Sequence, residues 1–232
     1  MDVFQGWGLE VARGLLTTVE VALLSLAVGF VWGILGALAQ LSSNGALRAI
    51  GRGFTLVVRG PPELLIILIA YFGGPGALTR LARMIDPDIR YLEVPALPAG
   101  VFALSLVFGG YAAEALRGAY LAIPKGEMEA ADAFGMSAAT SFIHIRLPLM
   151  WRYALPGLGN NWISLIKDTS LISIVGLEEL MRISTMATQV NGEPFRFYLI
   201  AALIYLLLTM LNTSIVDALE RRAARGERKL AR

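Results

Sequence analysis

Residues Glu129–Pro148 read EAADAFGMSAATSFIHIRLP, a mixed, polar, helix-forming stretch set between long apolar runs on both sides. Upstream, IPKGEMEAADAFG places Pro124 before a short acidic, alanine-rich helix, and Gly135 stands where that helix would end, because glycine accepts the left-handed cap. Ser137 is a good N-cap for a second short helix, SAATSFIHIR, which Pro148 is expected to stop. Two short helices joined at a glycine make a compact, rigid knob. Such a knob suits docking into a groove on another protein better than it suits chemistry.

The chain around the knob has the composition of a membrane protein. Of its 232 residues, 56% are hydrophobic and 16% charged, with a mean hydropathy of +0.63. A soluble domain of this size carries more charge. Without cysteine there is no disulfide framework, thiolate nucleophile or Cys-based metal site, and the single histidine, His144, leaves no His cluster. No metal site is expected. The formal charge of +2 is too small to point to a polyanion, and no nucleic-acid partner is expected.

A spanning helix needs about 20 mostly apolar residues to cross a core roughly 30 Å thick. Five segments qualify, and the expected architecture is an all-α integral membrane domain covering residues 1–232. Its spans fall at about 15–40, 53–76, 94–120, 150–177 and 196–220, with a loop at about 121–149. Val21–Ala39, Val94–Ala113 and Phe197–Val216 are free of charge. The second span carries Arg59 and Glu63, and the fourth carries Lys167 and Asp168. Charges at membrane depth need partners or water, so interrupted spans point to function.

Asp2 and Glu10 precede the first apolar run where a secretory signal would be positive, and no small-residue cleavage site follows. Residues 1–14 therefore read as an amphipathic lead-in lying at the interface. Positive charge sets the orientation. One side holds Arg48, Arg52, Arg117, Lys125, Arg146 and Arg152, and the tail adds Arg221, Arg222, Arg225, Arg228, Lys229 and Arg232. The other holds Arg80, Arg83 and Arg90, balanced by Asp86, Asp88 and Glu93, with Arg182 and Arg196 further on. The N-terminus is expected outside, the C-terminus inside, and the central loop in the cytoplasm. The basic tail reads as an inside anchor beside anionic headgroups.

Glu129-Ala130-Ala131, then three residues, Gly135, nine residues, and Ile145-x-Leu147-Pro148 reproduce the EAA pattern. In this the chain resembles the membrane-spanning permease subunits of ATP-binding cassette (ABC) importers with the type I fold. The resemblance implies that the loop forms coupling helices seated in a cleft of a cytoplasmic ATPase subunit. It assigns that coupling role to Glu129, Ala130, Ala131, Gly135, Ile145, Leu147 and Pro148. Small Ala and Gly side chains permit close approach, and a carboxylate can pair with a partner's base. His144, in the variable stretch, reads as a packing or solvated residue in preference to a pH sensor.

Further motifs are similar to permeases for polar amino acids. These are Arg59-Gly60-x-Pro62, Glu114-x-x-Arg117-Gly118 and Lys167-Asp168-Thr169-Ser170-Leu171, and with the loop they cover roughly residues 13–220. RGPPELLIILIAYFG is similar to subunits serving histidine, lysine, arginine and opines. Pro61, where that group often has Thr or Val, and Glu127, where it often has Gln, depart from the pattern. The resemblance implies cassette ATPases in a homodimer, a second permease subunit that is a paralogue, and a periplasmic amino-acid-binding protein. It implies residence in the bacterial inner membrane, and alternating access in which ATP binding moves the coupling helices and turns the cavity outward. The chain has no G-x-x-x-x-G-K-[ST] phosphate loop, so ATP and Mg belong to the partner and this subunit is expected to be no enzyme.

A cationic or zwitterionic cargo crossing a low-dielectric passage needs carboxylates and acceptors along it. Glu63 follows a proline pair where a broken helix can expose carbonyls to a cavity. Asn160, Asn161, Ser164, Asp168 and Thr169 supply polar groups, and Tyr71 and Tyr111 can stack on a cation. Arg59, Gly60, Pro62, Glu114, Arg117 and Lys167 are assigned to structure or gating. Glu114 and Arg117, three apart, are read as pairing along their helix. Lys167 and Asp168, being adjacent, point to different faces. Gly29, Gly33 and Gly36 are read as a tight packing seam. The alternative is a secondary carrier driven by an ion gradient, with Glu63, Glu114 and Asp168 as proton sites; it leaves the loop unexplained.

Overall fold

The computed structural model describes residues 4–224. Asp2 and the tail residues Arg225, Arg228, Lys229 and Arg232 lie outside the described residues. Helix α1, Gly8–Leu41, runs 34 residues without a break. The lead-in expected over 1–14 is thus mostly the first turns of α1, because no proline interrupts the run into the first span. It packs along α4, Ala96–Leu121, in the most extensive contact between any two elements. Small residues allow the approach: a Cβ on Gly33 would stand 2.7 Å from the Ala112 Cβ, and one on Gly29 2.8 Å from the Ser105 carbonyl. Val21, Ala103, Leu104 and Ala112 are fully buried around that seam.

The expected second span is two helices. Helix α2, Gly45–Arg59, is capped by Asn44, whose Oδ1 accepts the Ala46 N–H at 2.9 Å. Helix α3, Glu63–Arg83, starts afresh after Gly60-Pro61-Pro62. Two consecutive prolines remove two backbone donors, and their rings clash with the preceding turn, so one continuous helix cannot form.

In the loop, α5, Lys125–Ala133, ends at Gly135, whose φ of +71° is the left-handed conformation a side chain disfavours. The Met136 N–H closes the turn on the Ala131 carbonyl at 3.1 Å. Ser137 Oγ accepts the Thr140 N–H at 3.2 Å and so caps α6, Ala138–Ser141. Pro148 does not stop this second helix. A π turn, Phe142–Arg146, in which the Leu147 N–H reaches back to the Phe142 carbonyl, carries the chain into α7, Leu147–Asp168. The wider turn accommodates the proline ring, and Pro148 lies in the first turn of α7, where its missing N–H costs little.

The expected fourth span is helical only to Asp168; a 3₁₀ segment, Thr169–Val175, follows and Gly176 turns the chain at φ +93°. Helices α8, Leu180–Asn191, and α9, Pro194–Ala223, complete the fold. Among the described residues four helices, α1, α3, α4 and α9, are long and apolar enough to cross a membrane. Helix α7, at 22 residues, reaches about 33 Å but carries Arg152, Asn160, Asn161, Lys167 and Asp168.

A buried carboxylate ties α8 to the bundle. Glu179 is fully buried; its Oε1 accepts the Arg182 N–H at 2.8 Å, and its Oε2 accepts the Met181 N–H and the Tyr205 hydroxyl, each at 2.9 Å. Thr18 of α1 accepts the Leu180 N–H at 3.1 Å. One side chain therefore caps α8 and joins it to α9, with α1 beside it. Burial holds the Glu179 carboxyl above its ordinary value of 4.5, against the lowering effect of its hydrogen bonds.

Gly33→Ala should lower stability by about 1–3 kcal/mol through overpacking, whereas Gly53→Ala, with open space around it, should raise it by up to about 1 kcal/mol. Denaturation midpoints in detergent read the two signs. Glu179→Ala should cost roughly 1–3 kcal/mol for the partners left unsatisfied. With its pKa raised in the fold, Glu179 adds stability below pH 4.5 that is lost as pH climbs towards the raised value. That descent should be missing in Glu179→Gln.

Candidate functional site

The two interrupted spans meet. Glu63 in the first turn of α3, Tyr111 of α4, and Asn161, Ser164 and Asp168 of α7 line one cleft of about 170 Å³, floored by Val107, Phe108 and Leu165. The breaks put the polar groups there. The proline pair begins α3 at Glu63, where a carboxylate is favoured by the positive end of the helix. Asp168 is the last residue of α7, where the helix dipole opposes a negative charge. Two carboxylates therefore share one cleft, and Arg59 lies beside it with its guanidinium 5.0 Å from the centroid of the Tyr111 ring. Such a cleft attracts a cation or a donor-rich zwitterion.

Not every candidate from the sequence reaches this cleft. Tyr71 packs edge-on against Phe72 at 5.2 Å and lies on the apolar core. Asn160 is exposed and outside the lining. Thr169 is buried, donates to the Ile166 carbonyl at 2.7 Å and stands 3.5 Å from the Tyr205 hydroxyl, next to Glu179. Lys167 lines a different groove with Ser170, Met181, Tyr198 and Tyr205. Glu114 and Arg117 form an i,i+3 ion pair at 3.2 Å, partly exposed, and worth little in energy.

The loop presents a second surface. Glu129, Ala130 and Gly135 are exposed on the knob, while Ala131 is buried beneath it. Ile145 is half-buried, and Leu147 and Pro148 are exposed at the start of α7. The knob is pinned from below: Arg146 Nη1 donates to the Tyr120 hydroxyl of α4 at 2.6 Å and its Nε points to Met128 Sδ of α5 at 3.4 Å. His144 is exposed, with Nδ1 3.1 Å from the Thr140 carbonyl. Two residues escaped the sequence reading. Phe134 is 87% exposed at the tip, between the EAA residues and Gly135, and an aromatic in a polar loop was the available signal. Glu179 has a local role as the cap of α8, but its side-chain partners Thr18 and Tyr205 lie on α1 and α9, where no local pattern points to them.

The chain matches the family model described as "Binding-protein-dependent transport system inner membrane component" over residues 29–225. It is similar to the nopaline transport system permease protein NocQ of Agrobacterium fabrum, 44% identical and covering 96% of this chain and 94% of that one. It is likewise similar to the histidine/lysine/arginine/ornithine transport system permease protein HisQ of Salmonella typhimurium, 36% identical over 97% of each chain. Among solved structures, an amino acid ABC transporter crystallised with histidines superposes with a TM-score of 0.80 at 28% identity, over 93% of this chain and 95% of that one. An inward-facing MetNI methionine ABC transporter shares the fold, with a TM-score of 0.74 at 19% identity over 94% and 98%. The expected resemblance holds across the chain: this protein belongs to the inner-membrane components of binding-protein-dependent transport systems.

Proposed function

We propose that this subunit forms part of the translocation path for polar amino acids, with a preference for cationic ones. Relatives named for histidine, lysine, arginine, ornithine and nopaline support that cargo class. The observation that carries the proposal is the cleft, where Glu63 and Asp168 lie together with Asn161, Ser164 and Tyr111 and, among the described residues, no lysine or arginine is in the lining. Two carboxylates in a low-dielectric passage favour a positively charged cargo and disfavour an anionic one.

The chain crosses the inner membrane five times, α7 being the polar fifth span, with the N-terminus outside and the loop in the cytoplasm. Arg48 and Arg52 of α2, Arg117 and Lys125, and Arg221 and Arg222 at the end of α9 support that orientation. A separate ATPase subunit, working as a homodimer with ATP and Mg, receives Glu129, Ala130 and Gly135, with Phe134 as an apolar anchor. A second permease subunit, a paralogue, closes the other half of the path, and a periplasmic binding protein delivers the cargo.

Co-purification in detergent tests the coupling surface. The cassette subunit should accompany the wild type and be lost from a Glu129→Arg, Gly135→Asp double variant, and Phe134→Ala should weaken its retention by about tenfold or more. A protein that purifies alone and moves amino acids in liposomes without ATP would sink the importer reading and leave the gradient-driven carrier. Uptake by the reconstituted complex tests the cleft. Glu63→Gln and Asp168→Asn should each reduce arginine uptake by roughly tenfold while the ATPase remains bound. Unchanged arginine uptake in both variants would remove the cationic preference.

A further inference from the structure

A second concavity lies away from the polar cleft and is several times larger, about 760 Å³ against about 170 Å³. Its walls come from α1 at Ile34 and Leu38, the end of α4 at Tyr120, and the start of α7 at Met150 and Trp151. Leu38 is 62% exposed and Trp151 46% exposed. Apolar walls of this kind at bilayer depth hold hydrocarbon in preference to water.

One charge stands on the lining. Arg146 is half-buried, and its contacts are the Tyr120 hydroxyl, the Tyr120 ring at 5.0 Å and the Met128 sulfur. These partners are neutral. They fix the guanidinium in place and, among the described residues, leave its charge without a carboxylate. Leu41 ends α1, Tyr120 is one residue from the end of α4, and Leu147 begins α7, so Arg146 sits at the end of three helices. Tyr120 and Trp151 beside it are the amphipathic aromatics that favour the headgroup level.

We propose that this groove binds an anionic phospholipid from the leaflet on the loop's side. Its phosphate rests on Arg146, and one acyl chain lies along Ile34, Leu38 and Met150. The charge selects the occupant: an apolar helix of another protein would fill the walls and leave the guanidinium buried and unpaired, at a cost a phosphate avoids. Because Met128 of α5 touches the same guanidinium, the bound headgroup lies one side chain from the knob. The site is independent of the cargo carried by the cleft.

Quenching of Trp151 by brominated lipids tests this in the complete transporter, reconstituted in bilayers containing brominated phosphatidylglycerol or brominated phosphatidylethanolamine. The Trp151 signal is the difference between wild type and Trp151→Phe. Phosphatidylglycerol should associate roughly fivefold more strongly than phosphatidylethanolamine, and the ratio should fall to one in Arg146→Gln. Equal quenching by the two lipids in the wild type overturns the proposal, and needs no charge variant. So does a cysteine at Leu38 that cross-links to a second permease subunit, since protein would then fill the groove. Arg146→Gln that keeps the lipid ratio but loses the ATPase subunit would assign the guanidinium to a protein carboxylate and overturn the lipid site as well.

Discussion

The close approach of α1 and α4 is the constraint on which the rest of the structure rests. In a bilayer there is no hydrophobic gain from bringing two apolar helices together, so association depends on van der Waals contact at short range. Gly29 and Gly33 place the α1 backbone against Ser105, Phe108 and Ala112 of α4. That fixes α4 as the central helix, with α1, α3 and α7 packed around it. Tyr111 and Tyr120, on the same helix, then line two different concavities. Widening the seam by one methyl group moves both.

Helix ends, and not helix middles, supply the polar chemistry. A continuous helix satisfies its own backbone and can hide its side chains in lipid, and it offers a cargo little. The proline pair and the 3₁₀ segment create two ends at one depth, and the cleft forms where they face each other across α4. Glu63 is stabilised by its helix end and Asp168 is opposed by its own. The two carboxylates therefore have unequal environments within one cavity, an asymmetry that leaves Asp168 in greater need of a positive ligand.

Much of this was legible in the sequence because the deciding signals are local. Long charge-free runs gave α1, α4 and α9, and the fixed spacing from Glu129 to Pro148 gave the loop. Gly135 and Ser137 announced their caps because cap chemistry depends on a few adjacent residues. The misreadings have a common physical source. Pro148 was read as a stop, but the five-residue π turn just before Leu147 makes room for it. Asn160 shares α7 with Asn161, yet rotation about the axis turns it out of the cleft, and Thr169 opens the 3₁₀ segment with its hydroxyl turned back to the Ile166 carbonyl. Beyond the local cap it makes on α8, Glu179 meets Thr18 and Tyr205, each more than twenty positions away, and no local pattern encodes such a meeting.

The π turn that spoiled the sequence reading has a mechanical meaning. Because Pro148 does not break the chain, residues 138–168 form one continuous helical run of about 45 Å along its path from the knob to Asp168, with Pro156 inside α7. At the knob end Arg146 locks the run to α5 and α4 through Met128 and Tyr120. At the far end the run carries Asn161, Ser164 and Asp168 into the cleft. Along its length Trp162 Nε1 donates to Asn212 Oδ1 at 2.9 Å, so α9 must move with it or the bond must break. A helix ended at Pro148 would have left a non-helical joint between the knob and the cleft. The π turn carries the helix past Pro148, so the places where the run between knob and cleft can bend are the turn itself and Pro156 inside α7.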